Sequence, residues 1–239
     1  RASRTSIRHI GVPRCGTPYQ AHCGRVSKCL RGIASNVGSL CQVTDAVIVD
    51  SLSRASAAVG DLIEKIDGDQ WTAPTPCTEW NVRDVVAHLH GMNLVFIAVL
   101  EAGPMPERGL DRLGTEPAAA FRRSAAALQT AAARPGTLDW IRASAVGDAS
   151  GVERMRWRIA DLLTHAWDLM EATGIQAEMP DDLVEQSFEF ARIQLPNQSR
   201  VGRFADPQPI PDEATLIDRL AALTGRPVPW PKPISTHTT

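Results

Sequence analysis

Two segments of the chain place a carboxylate one helical turn before an imidazole: Asp161 before His165, and Asp84 before His88. At i and i+4 of a helix, such side chains stack on one face about one turn apart. Asp161 and His165 lie in Arg158-Ile-Ala-Asp161-Leu-Leu-Thr-His165-Ala-Trp167-Asp168, and His88 in Val82-Arg-Asp84-Val-Val-Ala-His88-Leu-His90. One imidazole from the second segment, added to Asp161 and His165, gives a two-histidine, one-carboxylate set. That set suits a divalent metal with open coordination positions, the catalytic rather than the structural pattern. His88, Asp161 and His165 are therefore the candidate metal ligands. The competing reading is plain: a short Asp-x3-His spacing recurs by chance on polar faces, and a buried histidine is satisfied equally well by a backbone carbonyl.

The neighbouring acids have cheaper explanations than ligation. Asp84 stands in a first turn, where it complements the helix dipole and can close a capping box with Asn81. Asp168, three residues after His165, is expected to support the ligands, holding arginine or backbone donors. Asp84 and Asp168 are thus candidate supporting residues. Cys77 has no neighbouring histidine or basic residue in its loop to lower its thiol pKa, which argues against a nucleophile. Trp71, Trp80 and Trp167 read as packing residues. Neither a phosphate-binding glycine loop nor a Gly-x-Ser-x-Gly elbow occurs in the sequence.

The elements that must position these residues read as helices. Residues 45–66 form a first helix rich in alanine and long aliphatics, followed by the proline-punctuated loop Trp71-Thr-Ala-Pro-Thr-Pro-Cys77-Thr-Glu-Trp80. Asn81 caps a second helix running to about 100 or 101. Val82, Val85, Leu89, Met92, Phe96, Val99 and Leu100 share one apolar face of it. His88 lies inside the edge of that face, while His90 points nearly the other way and is expected in solvent. A third helix spans 116–134. Residues 137–152 are ambiguous, with a short strand near Trp140. A fourth helix runs from about Val152 to Thr173 and stops at Gly174. Its apolar stripe is Ile159, Leu162, Leu163, Ala166, Leu169 and Met170. His165 projects about 40° beyond Leu169 and Asp161 further round, so periodicity alone does not bury them. Shorter helices follow at about 181–195 and 212–224. Long helices and short connections predict an all-α bundle.

Bulk composition fits a soluble globular chain: 239 residues, 44% hydrophobic, 22% charged, formal net charge −2. No overall basic field argues for nucleic acid. The longest apolar stretch, Leu94-Val-Phe-Ile-Ala-Val-Leu100, falls well short of the roughly 18 residues of a membrane span. Residues 1–42 stand apart. They carry seven basic residues, no acidic ones, and Cys15, Cys23, Cys29 and Cys41. A transit-type targeting segment, a small metal-binding extension using Cys15, His22, Cys23 and Cys29, and upstream sequence read from a mis-set start compete; we favour the last. The remainder divides into a bundle over 43–230 and a flexible tail over 231–239. A single cysteine outside the leader, Cys77, argues for a reducing cytoplasm.

Three stretches carry a resemblance. The segment from Trp71 through Trp80 to His88, the segment Asp161-Leu-Leu-Thr-His165-Ala-Trp167-Asp168 continuing to Gly174, and the ending Leu220-Ala-Ala-Leu-Thr-Gly225-Arg-Pro-Val-Pro-Trp230 occur in order. Together they resemble actinobacterial metal-binding proteins related to the N-terminal domain of mycothiol-dependent maleylpyruvate isomerase, in the DinB/YfiT-like superfamily. The resemblance covers roughly 43–230. It implies an up-and-down four-helix bundle, here with extra C-terminal helices, holding a divalent metal, zinc or nickel, between helices. By motif position His88, Asp161 and His165 match its ligands. The isomerase-like members have Glu where this chain has Asp161, one methylene shorter.

The resemblance implies a thiol-dependent transferase or isomerase, with mycothiol or a similar thiol as cosubstrate and a small electrophile as substrate. A metal-dependent hydrolase and a non-catalytic metal-binding or interaction bundle stay open, as does a homodimer. Neither a nucleic-acid nor a membrane partner is expected.

Overall fold

The structure is a computed structural model that describes residues 33–107, 112–142, 149–197, 199–200 and 203–231. The chain divides into two compact units, Arg1–Ser39 and Leu40–Thr239. Of the first, only residues 33–39 are described, as the start of a helix. Cys15, His22, Cys23 and Cys29 lie outside the described residues, as do positions 232–239 of the expected tail. All that follows concerns the second unit.

Six α-helices carry the fold: α1 (Ile33–Glu64), α2 (Val82–Glu101), α3 (Pro117–Ala132), α4 (Gly151–Thr173), α5 (Asp181–Gln194) and α6 (Leu216–Leu223). The only strands among the described residues are the two-residue pair β1 (Ile141–Arg142) and β2 (Ala149–Ser150), antiparallel, with Ile141 opposite Ser150. The fold is all-α, as the periodicity predicts. Helix α1 begins at Ile33 rather than 45, inside the segment set aside on composition. Composition marked that boundary, but Ile33-Ala-Ser-Asn-Val contains nothing that stops a helix from starting there.

The two helices that bear the site have well-defined starts. Asn81 accepts from the Asp84 amide while the Asp84 carboxylate accepts from the Asn81 amide, closing a capping box at α2. Ser150 and Glu153 close another at α4. Gly174, at φ 74°, ends α4 in the left-handed conformation that the sequence predicts.

Helix α2 packs between α3 and α4, and α4 also meets α5 and α6. The core is built from Leu52, Leu62 and Ile63 of α1, Leu89 of α2, Phe121 and Leu128 of α3, Met155, Leu162, Leu163 and Leu169 of α4, and Leu183 of α5. Each buried side chain of this size contributes roughly 1.5–3 kcal/mol by leaving water. At the surface, Arg122 of α3 ties to Asp61 and Glu64 of α1 at 2.6 and 2.5 Å. Arg54 of α1 reaches Asp182 of α5 at 2.6 Å. Such exposed pairs add little to stability.

Two corrections follow from this packing. His90 is buried, not solvent-exposed, and its Nδ1 lies 3.1 Å from the Ala120 carbonyl of α3. The buried arc of α2 runs through Val86, Leu89, His90 and Asn93, rotated from the expected face, because α3 covers the side that periodicity assigned to water. Met92 and Phe96, expected in the core, are only part-buried and line a cleft. By length and composition α2 would suit a membrane span. Within this fold it is a bundle helix carrying three polar side chains, His88, His90 and Asn93, toward its neighbours.

After α5 the chain returns across α4. Arg200 donates to the Ala205 and Leu223 carbonyls, and Gln208 N donates to the Ala222 carbonyl. Gly225, at φ 101°, allows the close approach: a Cβ there would come within 2.6 Å of the Ala205 Cβ. This return places Arg226 and Phe204 beside α4.

Candidate metal centre

His88 projects from α2, and Asp161 and His165 from α4. One ligand-type atom from each lies within 4.8 Å of the others. The Asp161 Oδ1 faces both imidazoles, 3.3 Å from His88 Nε2 and 3.5 Å from His165 Nε2. Those separations are long for hydrogen bonds. On its other side the His165 ring meets Asp168, with Nδ1 2.9 Å from Oδ2. A carboxylate can only accept, so that contact assigns the proton to Nδ1 and leaves the Nε2 lone pair directed at Asp161. Lone-pair atoms converging on one point repel unless a cation lies between them. The donor set, two imidazole nitrogens and one carboxylate oxygen, fits a divalent metal, and the His165–Asp168 contact is the kind of support such a ligand takes.

His165 is buried, although its projection fell outside the apolar stripe of α4. Residues Leu162 to Leu169 of α4 are buried all round, because α2, α5 and α6 each cover a different side. Asp161 stays 29% exposed at the side chain, so one of its oxygens can be reached from the cleft. Burial alone would raise its carboxyl pKa, but His88, His165 and Arg158 outweigh that and hold it well below the usual carboxylate range.

Asp168 is fully buried. Besides His165 it accepts from Arg226, Nε to Oδ1 at 3.2 Å and Nη2 to Oδ2 at 2.9 Å. Burial pushes its pKa up; Arg226 and His165 more than reverse that, and the net direction is down. Asp84 does not reach the site: it is exposed, and its carboxylate closes the α2 cap.

Several residues here were not legible as site residues. Trp80, taken for packing, stacks on both imidazoles, with ring centroids 4.9 Å from His88 and 5.9 Å from His165. Its loop is tied down by Thr75, whose Oγ1 donates to the Trp80 carbonyl at 2.8 Å, and by Glu79 at φ 72°. Trp167 is a packing residue as expected, its indole nitrogen donating to Asp218 of α6 at 2.8 Å. Arg158 is completely buried and donates to Asp161 Oδ2. A signal for it existed: on a helical wheel it falls about 20° from Leu169, a charge beside the apolar stripe.

The triad opens into a cleft of about 750 Å³, lined also by Cys77, Trp80, Met92, Phe96, Trp157, Arg203, Phe204 and Arg226. Arg203 stands over the rings of Phe204 and Trp157, at 5.3 and 6.0 Å. A smaller cavity of about 370 Å³ lies between α1, α4 and α5, but Glu189 is the only metal-ligand type lining it, and Glu189 is paired with Arg192. Cys77, His165 and Asp168 form a second donor group. It is a poorer one. Both Asp168 oxygens are taken by Arg226 and His165, and burial, reinforced by Asp168, pushes the Cys77 thiol up to about 11.

Comparison with known proteins agrees with this geometry. Residues 52–170 match the family described as the mycothiol maleylpyruvate isomerase N-terminal domain. That span contains all three triad residues. Two uncharacterized proteins, from two strains of Mycobacterium tuberculosis, are each 34% identical over 178 residues, covering 73% of this chain and 95% of the relative. No solved structure matches the chain. The chain belongs to the mycothiol maleylpyruvate isomerase N-terminal domain family, of the DinB-like helical type.

Proposed function

We propose that the protein binds a divalent metal, zinc or nickel, through His88 Nε2, Asp161 Oδ1 and His165 Nε2, and uses it in a thiol-dependent transfer or isomerisation. The observation that carries the reading is the convergence of two imidazole nitrogens on one carboxylate oxygen at the floor of an open cleft. Three protein donors leave coordination positions for a substrate. A metal bound there would lower the pKa of a coordinated thiol and so supply a nucleophile near neutral pH.

The chain's own residues prepare that chemistry. Asp168 holds the His165 ring in one tautomer, Arg158 holds Asp161, and Trp80 shields both imidazoles from water. Phe96, Trp157 and Phe204 give the cleft apolar walls, while Arg203 and Arg226 add positive charge. The thiol is supplied from outside: Cys77 lines the same cleft, but with its pKa near 11 it is protonated at neutral pH. Mycothiol, or a similar low-molecular-weight thiol, fits that requirement and the family to which the chain belongs. A small electrophile is the second substrate, and the cytoplasm, where thiols stay reduced, is the compartment. The cleft beside the triad favours this reading over a purely structural metal site.

The test is a thiol-transfer assay of metal-loaded protein, with and without added mycothiol, beside His165→Ala. Turnover that needs both thiol and His165 supports the proposal. Turnover without thiol makes the site a hydrolase, and metal loss in the variant with transfer unchanged rules the metal out of the reaction.

A further inference from the structure

Arg158 has no solvent exposure, and a buried guanidinium is tolerated only where its donors are answered. Its Nε and Nη2 both donate to Asn93 Oδ1, at 3.0 and 2.7 Å, and Nη2 also donates to the Leu89 carbonyl at 2.7 Å. Its Nη1 donates to Asp161 Oδ2. Asn93 in turn donates through Nδ2 to Ser124 Oγ at 2.9 Å, and Ser124 donates to the Phe121 carbonyl at 2.8 Å. A continuous buried chain therefore runs from α3 through α2 to the carboxylate on α4.

We propose that Arg158 is a positioning residue for the metal centre: it occupies Asp161 Oδ2 so that Oδ1 alone faces the two imidazoles. The inference rests on the metal reading given above. A free aspartate rotates about its terminal bond and can offer either oxygen, or both, to a cation. Held from behind by a guanidinium that is itself locked by Asn93 and Leu89, Asp161 offers one oxygen in one orientation. The arginine also neutralises the carboxylate, so a bound cation keeps more of its positive charge for an incoming ligand. Lysine cannot do the same work. Its point charge lacks the fork that reaches Asn93 and Asp161 together.

The experiment uses Co²⁺ as the probe, in the full chain, comparing wild type with Arg158→Lys, Arg158→Gln and Asn93→Ala. Two quantities are read: Co²⁺ affinity and the shape of the visible absorption of the bound ion, which reports ligand number and geometry. We expect affinity to fall about 10–100-fold in the Arg158 variants, the usual range for residues supporting a metal ligand. The absorption should change shape with it. In an Asp161→Ala background the Arg158→Lys change should cause no further loss, because the arginine acts through that carboxylate. Asn93→Ala leaves the ion pair intact, so it carries the test if the Arg158 variants do not fold. It should give the same spectral change with a smaller loss of affinity. Unaltered affinity and spectrum in Asn93→Ala and in any folded Arg158 variant overturn the proposal. A wild type that binds no Co²⁺ overturns the metal reading and this proposal with it, and is distinguished by failing before any variant is made.

Discussion

Asp161 and Asp168 lie two turns apart on one helix, each beside His165 and each paired with a buried arginine, yet they are arranged for opposite tasks. Asp168 is fully enclosed, and both oxygens are taken by Arg226 and His165. Asp161 gives one oxygen to Arg158 and turns the other toward two imidazole nitrogens at the cleft. Identical residue types thus become a ligand or a support according to whether one oxygen is left open. His165 lies between them, with Nδ1 held by the support and Nε2 directed at the ligand.

The sharpest way to break the comparison is to truncate each carboxylate in turn. Asp161→Ala removes a donor, so metal affinity should fall by more than the roughly 100-fold ceiling of a supporting residue. Asp168→Ala should weaken metal binding only about 10–100-fold. Its stability loss should be the larger of the two, about 3–5 kcal/mol, because Arg226 is left as an uncompensated buried charge. Metal titration and denaturant unfolding of both variants check this; equal losses of affinity would erase the distinction.

A smaller effect separates the two states of Asp168 by pH. Its pKa is depressed in the folded protein, so its stabilising contribution is complete above the unfolded carboxyl value of about 3.9 and is lost as pH falls below it. Thermal unfolding of the metal-free protein should show stability falling below about pH 4, with a shallower acid limb in Asp168→Asn. An unchanged limb would mean that the pairing with Arg226 adds nothing.

The smallest effect is expected at Cys77. With its thiol near 11, alkylation followed by peptide mass spectrometry should be slow at pH 8 and accelerate toward pH 11. Cys77→Ser should leave metal content unchanged. Loss of metal in that variant would transfer the site to the second donor group.

How much of this could be read beforehand follows the range of the contacts. Helices α2 and α4 were legible because their signals are local: Asn81 with Asp84, Ser150 with Glu153, and Gly174 as a stop. The pairing of Asp161 with His165 was legible for the same reason. His90 was misread because the apolar period of α2 says which side is apolar, not which sides other helices will cover. Arg158 went unremarked because Asn93 and Leu89 lie 65 and 69 residues away, and Arg226 because Asp168 is 58 residues away. Trp80 stacks on histidines from two helices, a contact that no spacing within its own loop encodes.

The most direct test of the central claim is the metal content of the purified protein by elemental mass spectrometry, prepared without a histidine tag or chelator, wild type beside His165→Ala. The account predicts near-stoichiometric zinc or nickel in the wild type and none in the variant. No metal in either, and no uptake when zinc or nickel is added back, would contradict it.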